Sequence, residues 1–188
     1  MGIRFEFLQF PTLNTNRLVL REVTERDAAD VFELRGDYQV TKLNFGVNYK
    51  SLDEAHFTIQ RMREGFDVAQ HLRFGITLGA DDKVIGLVGF NYFSHADHRA
   101  AVGFDLQRRF WGRGIMPEAL TAVLDFGFNQ IGLNRIEADC SIMNLASQRV
   151  LQKVGFVYEG RQRDQYYYDG TYFDLLLWSI LKREWAAR

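Results

Sequence analysis

The sequence predicts a mixed α/β fold, with a mainly antiparallel central sheet, one parallel pair of strands and flanking helices. Three observations predict it. Stretches rich in branched and aromatic residues recur at 17–23, 73–78, 83–93, 100–106, 133–141 and 173–181, the pattern of strands. Helical signals lie among them, each with a start or stop residue. Strand 100–106 leads through an amphipathic helix to strand 133–141, which makes a right-handed parallel crossover.

Each element has its own local reason. "RLVLREV" (17–23) alternates and reads as the first strand. Thr24 with Asp27 resembles a capping box, opening a helix that runs to about Arg35 and stops at Gly36. Residues 37–50 read as irregular. Ser51 with Glu54 is an S-x-x-E box, so a second helix runs to about Asp67. "RFGITL" (73–78), a turn at 79–82 and "KVIGLVGFNYF" (83–93) form a hairpin. A polar turn at 94–99 precedes strand 100–106. In the next helix, Leu120, Val123, Leu124 and Phe128 recur at helical spacing. Pro117 and Glu118 suit its first turn, where a missing N–H costs nothing and the helix dipole favours an anion. Gly132 is its stop. A short helix follows strand 133–141 and ends at Gly155. Asp169-Gly170 is a two-residue hairpin signal joining the last two strands.

Bulk properties set the class. The chain has 188 residues, 47% hydrophobic and 25% charged, and one domain over 1–188 is expected. A net charge of −1 speaks against a general nucleic-acid binder. A single cysteine, Cys140, excludes an intramolecular disulfide framework and a cysteine-rich zinc site, and fits a reducing cytoplasm. The four histidines show no metal spacing. No apolar run approaches a membrane span, and residues 1–16 lack a signal-peptide pattern. The 16 Phe, 8 Tyr and 3 Trp fit either a ring-rich core and hairpin or a groove for an extended ligand.

"QRRFWGRG" (107–114) is the stretch that points to chemistry. It lies between a strand and a helix, so its glycines expose backbone N–H groups at a helix N-terminus, a site suited to phosphate. Glycine lets the oxygens approach, and Arg109 and Arg113 can add charge-assisted bonds. The P-loop pattern is absent, and the dinucleotide pattern lacks its third glycine, since Gly112 and Gly114 are followed by Ile115, Met116 and Pro117.

What fits is R-x-x-G-x-G over Arg109, Gly112 and Gly114, which resembles the acyl-CoA pyrophosphate loop of the GNAT superfamily of N-acetyltransferases. "WGRGIMPEAL" and "NLASQRVLQKVGF" look like its RimJ/RimL branch, which acetylates protein N-termini, notably of ribosomal proteins. "LNTNRLVLREVTERDAADVF" and "DGTYFDLLLWSILKREW" do so too, so the resemblance covers nearly the whole chain. It implies a sheet whose parallel strands splay apart and a cytoplasmic single-domain enzyme. Acetyl-CoA is the implied co-substrate, with no metal, and the acceptor is a protein N-terminus or a small amine. Neither nucleic acid nor membrane is an implied partner, and a homodimer is compatible with it.

The resemblance also implies the site. The amine attacks the thioester directly, and the thiolate of coenzyme A leaves. Phe104 and Leu106 offer backbone to the pantetheine arm, residues 109–114 hold the pyrophosphate, and Asn144 matches the side chain that holds pantetheine. Asn144 also suits the N-cap of the following helix. Ser147 matches the branch's proposed acid. The tyrosine that many members carry four residues later is replaced by Leu151. The glutamate some members carry in the strand is replaced by Ala101. Asp105, Glu137 and Asp139 are the candidate bases, with Tyr166–Tyr168 on the hairpin and an ordered water relay as alternatives. Arg149 and Lys153 share a helix face that could meet a ribose phosphate or solvent. Two further readings stay open, a small-amine acetyltransferase and an acyl-CoA-binding sensor without chemistry.

Overall fold

Alternation becomes strands wherever one face can be buried. The computed structural model describes residues 3, 5, 7–44, 46–79 and 81–187. Ala80, within the expected turn 79–82, and Phe45, within the stretch 37–50, lie outside the described residues. Eight strands form one sheet in the order β1-β2-β3-β4-β5-β6-β8-β7. They are β1 (Leu13–Asn14), β2 (Leu18–Arg21), β3 (Leu72–Leu78), β4 (Asp81–Ser94), β5 (Arg99–Leu106), β6 (Arg135–Ser141), β7 (Val157–Tyr168) and β8 (Thr171–Leu181). Every neighbouring pair is antiparallel except β5 with β6, which is parallel. The mixed, mainly antiparallel sheet is the one expected.

The helices are α1 (Ala28–Gly36), α2 (Tyr38–Thr41), α3 (Leu52–Asp67), α4 (Ile115–Phe126), α5 (Leu145–Val154) and α6 (Lys182–Trp185). None is long and apolar enough to cross a membrane among the described residues. The Thr24/Asp27 box forms, with the Asp27 carboxylate accepting from Thr24 N–H at 2.8 Å. The Ser51/Glu54 box forms too, at 3.0 Å. Three elements escaped the sequence reading, β1, α2 and α6, because two or four residues show no period. The single turn of α2, inside the stretch expected to be irregular, is held by Asp37, whose side chain accepts from Gln39 N–H at 2.9 Å.

Helices cover both faces of the sheet. On one, α4 buries Leu120, Val123 and Leu124 completely, in a core shared with Phe74, Phe90 and Ile136. On the other, Val31 and Leu34 of α1 and Ala55 and Ile59 of α3 pack on Val84 and Leu87 of β4. Removing one such leucine costs about 2–5 kcal/mol. Many of the phenylalanines serve the larger core: Phe10 meets Phe74 edge-on at 5.3 Å, and Phe5 meets Phe93 at 5.2 Å. The rings of Tyr158, Tyr167 and Tyr172 on the β7–β8 hairpin are exposed.

The parallel pair is short. Rungs join Arg99, Ala100 and Ala101 to Arg135, Ile136 and Glu137, and there the ladder ends. Across β5, the register with β4 shifts between Phe90 and Tyr92. A bulge of this kind bends and overtwists its strand, and past it β5 parts from β6.

Candidate functional site

The gap between β5 and β6 is flanked by two cavities. The larger, about 370 Å³, runs from Phe104 and Leu106 along the loop at Trp111, Gly112 and Gly114 and is closed by α5. The smaller, about 170 Å³, is reached by Arg35 of α1, Arg73 of β3, and Asp139 and Cys140 of β6. They share Leu43, Asn44, Phe104, Asp105 and Ser147. Ser147 thus stands at their junction.

The loop has the backbone its glycines predict. Gly112 and Gly114 both have φ +73°, a left-handed conformation that costs other residues about 1–2 kcal/mol. A Cβ on Gly112 would meet nothing within 4 Å, so backbone shape, not crowding, calls for glycine there. Gly114 is the N-cap of α4 and turns the first N–H groups of that helix outward. The loop is braced from β2's side: Arg17 donates to Arg113 C=O at 3.1 Å and pairs with Glu118 at 2.6 Å. Thr15 also donates to Glu118, at 2.6 Å. Trp111 Nε1–H donates to Leu106 C=O at 2.7 Å.

The arginines of the loop are placed differently from expectation. Arg109 reaches Gln107 at 2.7 Å and Glu33 at 3.3 Å and stacks on Phe110. Arg113 also stacks on Phe110. Neither lines the larger cavity, whereas Arg149 and Lys153 of α5 do. Their four-residue spacing was the only sequence signal for that face.

A partly buried polar chain crosses the gap. Asn144 caps α5, its Oδ1 accepting from Ser147 N–H at 3.1 Å, while its Nδ2 donates to Asn44 at 2.9 Å. Asn44 donates to Asp105 Oδ1 at 2.7 Å. The other oxygen of Asp105 meets Arg35 at 2.6 Å and Arg73 at 3.6 Å. Arg73 in turn donates to Asn91 Oδ1. The Asp105 side chain is 4% exposed. With both oxygens engaged, this carboxylate anchors these elements to one another.

Glu137 lies elsewhere. It is aligned with Ala101 across the last rung, and it accepts from Arg99 at 2.9 Å, Arg135 at 2.7 Å and Tyr92 at 3.0 Å. Burial works to raise its pKa, but the bonds from Arg135 and Tyr92 and the nearby guanidinium charges outweigh it and hold the carboxyl below its ordinary value. It lines neither cavity beside the gap, a position that speaks against its acting as the base. Asp139, two residues on, differs. No hydrogen bond or ion pair joins it to another described side chain. The residue is exposed, yet the surrounding protein pushes its pKa up by desolvation. Cys140 is buried, and burial raises its thiol to about 11, which suppresses the reactive thiolate. Leu151, at the family's tyrosine position, is buried in the larger core.

Comparisons agree with this geometry. The family model described as "Acetyltransferase (GNAT) domain" matches residues 17–157. The chain is 36% identical over 176 residues to the Bacillus licheniformis protein called uncharacterized N-acetyltransferase p20, covering 94% of this chain and 99% of that one. It is 27% identical over 183 residues to the Escherichia coli [ribosomal protein uS5]-alanine N-acetyltransferase, covering 93% and 92%. The structure of Mycobacterium smegmatis RimJ in complex with CoA-disulfide matches with a TM-score of 0.84 at 25% identity, covering 93% of this chain and 89% of that one. A strand–glycine loop–helix crossover, a parted parallel pair and these matches lead to one conclusion: the chain belongs to the GNAT family of N-acetyltransferases, with ribosomal-protein acetyltransferases of the RimJ/RimL kind among its relatives.

Proposed function

We propose that residues 1–188 act as a single domain that moves the acetyl group of acetyl-CoA to the N-terminal amine of a protein, of ribosomal-protein type. The observation that carries this reading is the meeting of the two cavities at Ser147. The larger suits a long cofactor: its diphosphate against the loop N–H groups of Gly112 and Gly114, its pantetheine arm along Phe104 and Leu106. Arg149 and Lys153 add charge at its rim, and Arg109 and Arg113 do so only by swinging from Phe110. The smaller cavity opens on the far side of the gap and suits the acceptor. The uS5-alanine N-acetyltransferase relationship supports a protein N-terminus.

The transfer is direct. The amine nitrogen attacks the thioester carbon, and the tetrahedral oxyanion collapses with loss of the thiolate. Most of the acceleration then comes from alignment of amine and thioester across the gap. Ser147, at the junction, supplies a proton to the leaving sulfur; a thiol pKa near ~8.5 makes this help modest. Asp105 holds the gap in shape through Asn44, Arg35 and Arg73. Acetyl-CoA turnover against a panel of N-terminal peptides and small amines tests the reading. Turnover on peptides supports it. Turnover on amines alone replaces the acceptor, and tight coenzyme A binding without turnover on any acceptor removes the catalytic reading.

A further inference from the structure

The smaller cavity has an unusual charge arrangement. Arg35 and Arg73 both reach one oxygen of Asp105, at 2.6 and 3.6 Å, and no second carboxylate pairs with either among the described residues. The three side chains are 18%, 12% and 4% exposed, so one positive charge more than negative is held largely out of water. Such a surplus is costly unless a partner meets it. Arg73 registers the cost: burial lowers its pKa to about 10, with Asp105 opposing and Arg35 adding to the fall. Arg35 Nε is buried and has no hydrogen-bond partner among the described residues. Asp139 lines the same cavity and pairs with neither arginine. One compartment therefore holds a cationic pair short of an anion and a carboxylate short of a cation.

We propose that this cavity selects an acceptor whose amine is accompanied by a carboxylate, with Arg35 and Arg73 binding the carboxylate and Asp139 taking the amine proton. This deepens the acceptor assignment above and rests on it. The phosphates of coenzyme A do not supply the missing anion, since neither arginine lines the larger cavity. In the step, the amine nitrogen forms the C–N bond at the thioester carbon and its proton passes to Asp139. The C–S bond breaks and the thiolate gains a proton from Ser147 or water, and Asp139 returns its own to solvent. A polyamine brings charge of the wrong sign to the two arginines. An acidic first residue on a peptide and a free amino acid both offer the right chemistry, and the experiment separates these sources.

The test is kcat/KM for acetyl-CoA turnover by the wild-type chain on matched acceptors: peptides beginning with Asp or Glu against Asn or Gln, and free amino acids against their carboxamides. A charged hydrogen-bonded pair implies a preference for the carboxylate of about tenfold to hundredfold, seen mainly in KM. Arg73→Gln should bring that ratio close to one, and Asp139→Asn should lower kcat on the preferred acceptor at least about tenfold with the KM for acetyl-CoA unchanged. Equal rates within the pairs overturn the proposal, as does absence of turnover on every carboxylate-bearing acceptor. If Arg73→Gln does not fold, the wild-type pairs decide alone. Peptide turnover without a preference sinks this inference and leaves the protein acceptor standing. A carboxylate preference confined to free amino acids does the reverse.

Discussion

Replacing Gly112 by Asp, with Gly112→Asn as its companion, measures whether the loop holds a diphosphate. The position has φ +73° and room for a Cβ, with nothing within 4 Å. Asn and Asp tolerate left-handed backbone best among non-glycine residues, at about 1 kcal/mol. Both variants should fold, with Tm lowered by about 2–4 °C. They differ from each other by one charge. A negative charge about 4 Å from a phosphate oxygen costs about 1 kcal/mol in water and about 4 at an effective dielectric of 20. Gly112 is exposed, so the lower part of that range applies. About 1–2 kcal/mol corresponds to a loss in coenzyme A affinity of roughly fivefold to thirtyfold for Asp relative to Asn. Calorimetric titration with coenzyme A at low salt and at about 0.5 M salt reads it, and the gap between the variants should narrow as screening grows. A folded Asp variant that binds as tightly as the Asn variant refutes the placement of the diphosphate.

Three further outcomes follow from the same structure. Ser147→Ala should lower kcat about tenfold while leaving the KM for acetyl-CoA alone, the modest size reflecting a thiolate that leaves readily; an unchanged kcat removes the acid role. Asn144→Ala removes the cap of α5 and the bond to Asn44, so thermal denaturation should report a loss of about 1–2 kcal/mol, and an unaltered Tm would show that the cap contributes nothing. Asp27→Asn breaks a buried pair with Arg21, at 2.8 and 2.9 Å, at a cost of about 3–5 kcal/mol near neutral pH. Burial pushes the Asp27 pKa up, but the bonds from Arg21 and Thr24 push it further down. The stability it supplies is therefore present above the ordinary carboxylate pKa and fades as pH falls through the lowered one. Acid titration of Tm should be shallower in the Asn variant, and parallel curves would contradict this.

Local signals were legible; juxtapositions were not. Runs of branched and aromatic residues marked β3 to β6 and β8 because these strands are largely buried, and Asp169-Gly170 marked its turn because only a few residues accept two positive φ angles, here +47° and +78°. The glycine loop was readable for the same reason. The direction of Arg109 was not, since its partner Glu33 lies on α1, far away in the chain. Nor was the sharing of Asp105 between Arg35 and Arg73, which come from α1 and β3. Asp105, Glu137 and Asp139 read alike as strand carboxylates. Only packing separated the anchor from the surface ion pair and from the unpaired side chain facing the smaller cavity.

The brevity of the β5–β6 ladder has a mechanical consequence. The five strands β1 to β5 are stitched to the three strands β6 to β8 by rungs at Ala100 and its two neighbours and by the covering helices. At the closed end the stitching is reinforced by the His98 C=O, which accepts from Asn134 N–H at 2.7 Å and from Arg135 N–H at 3.3 Å. That end is pinned by backbone, whereas the far end, beside Ser147, is bridged by side chains, Asn144 to Asn44 to Asp105. Amide exchange should find this seam the first line along which the sheet yields.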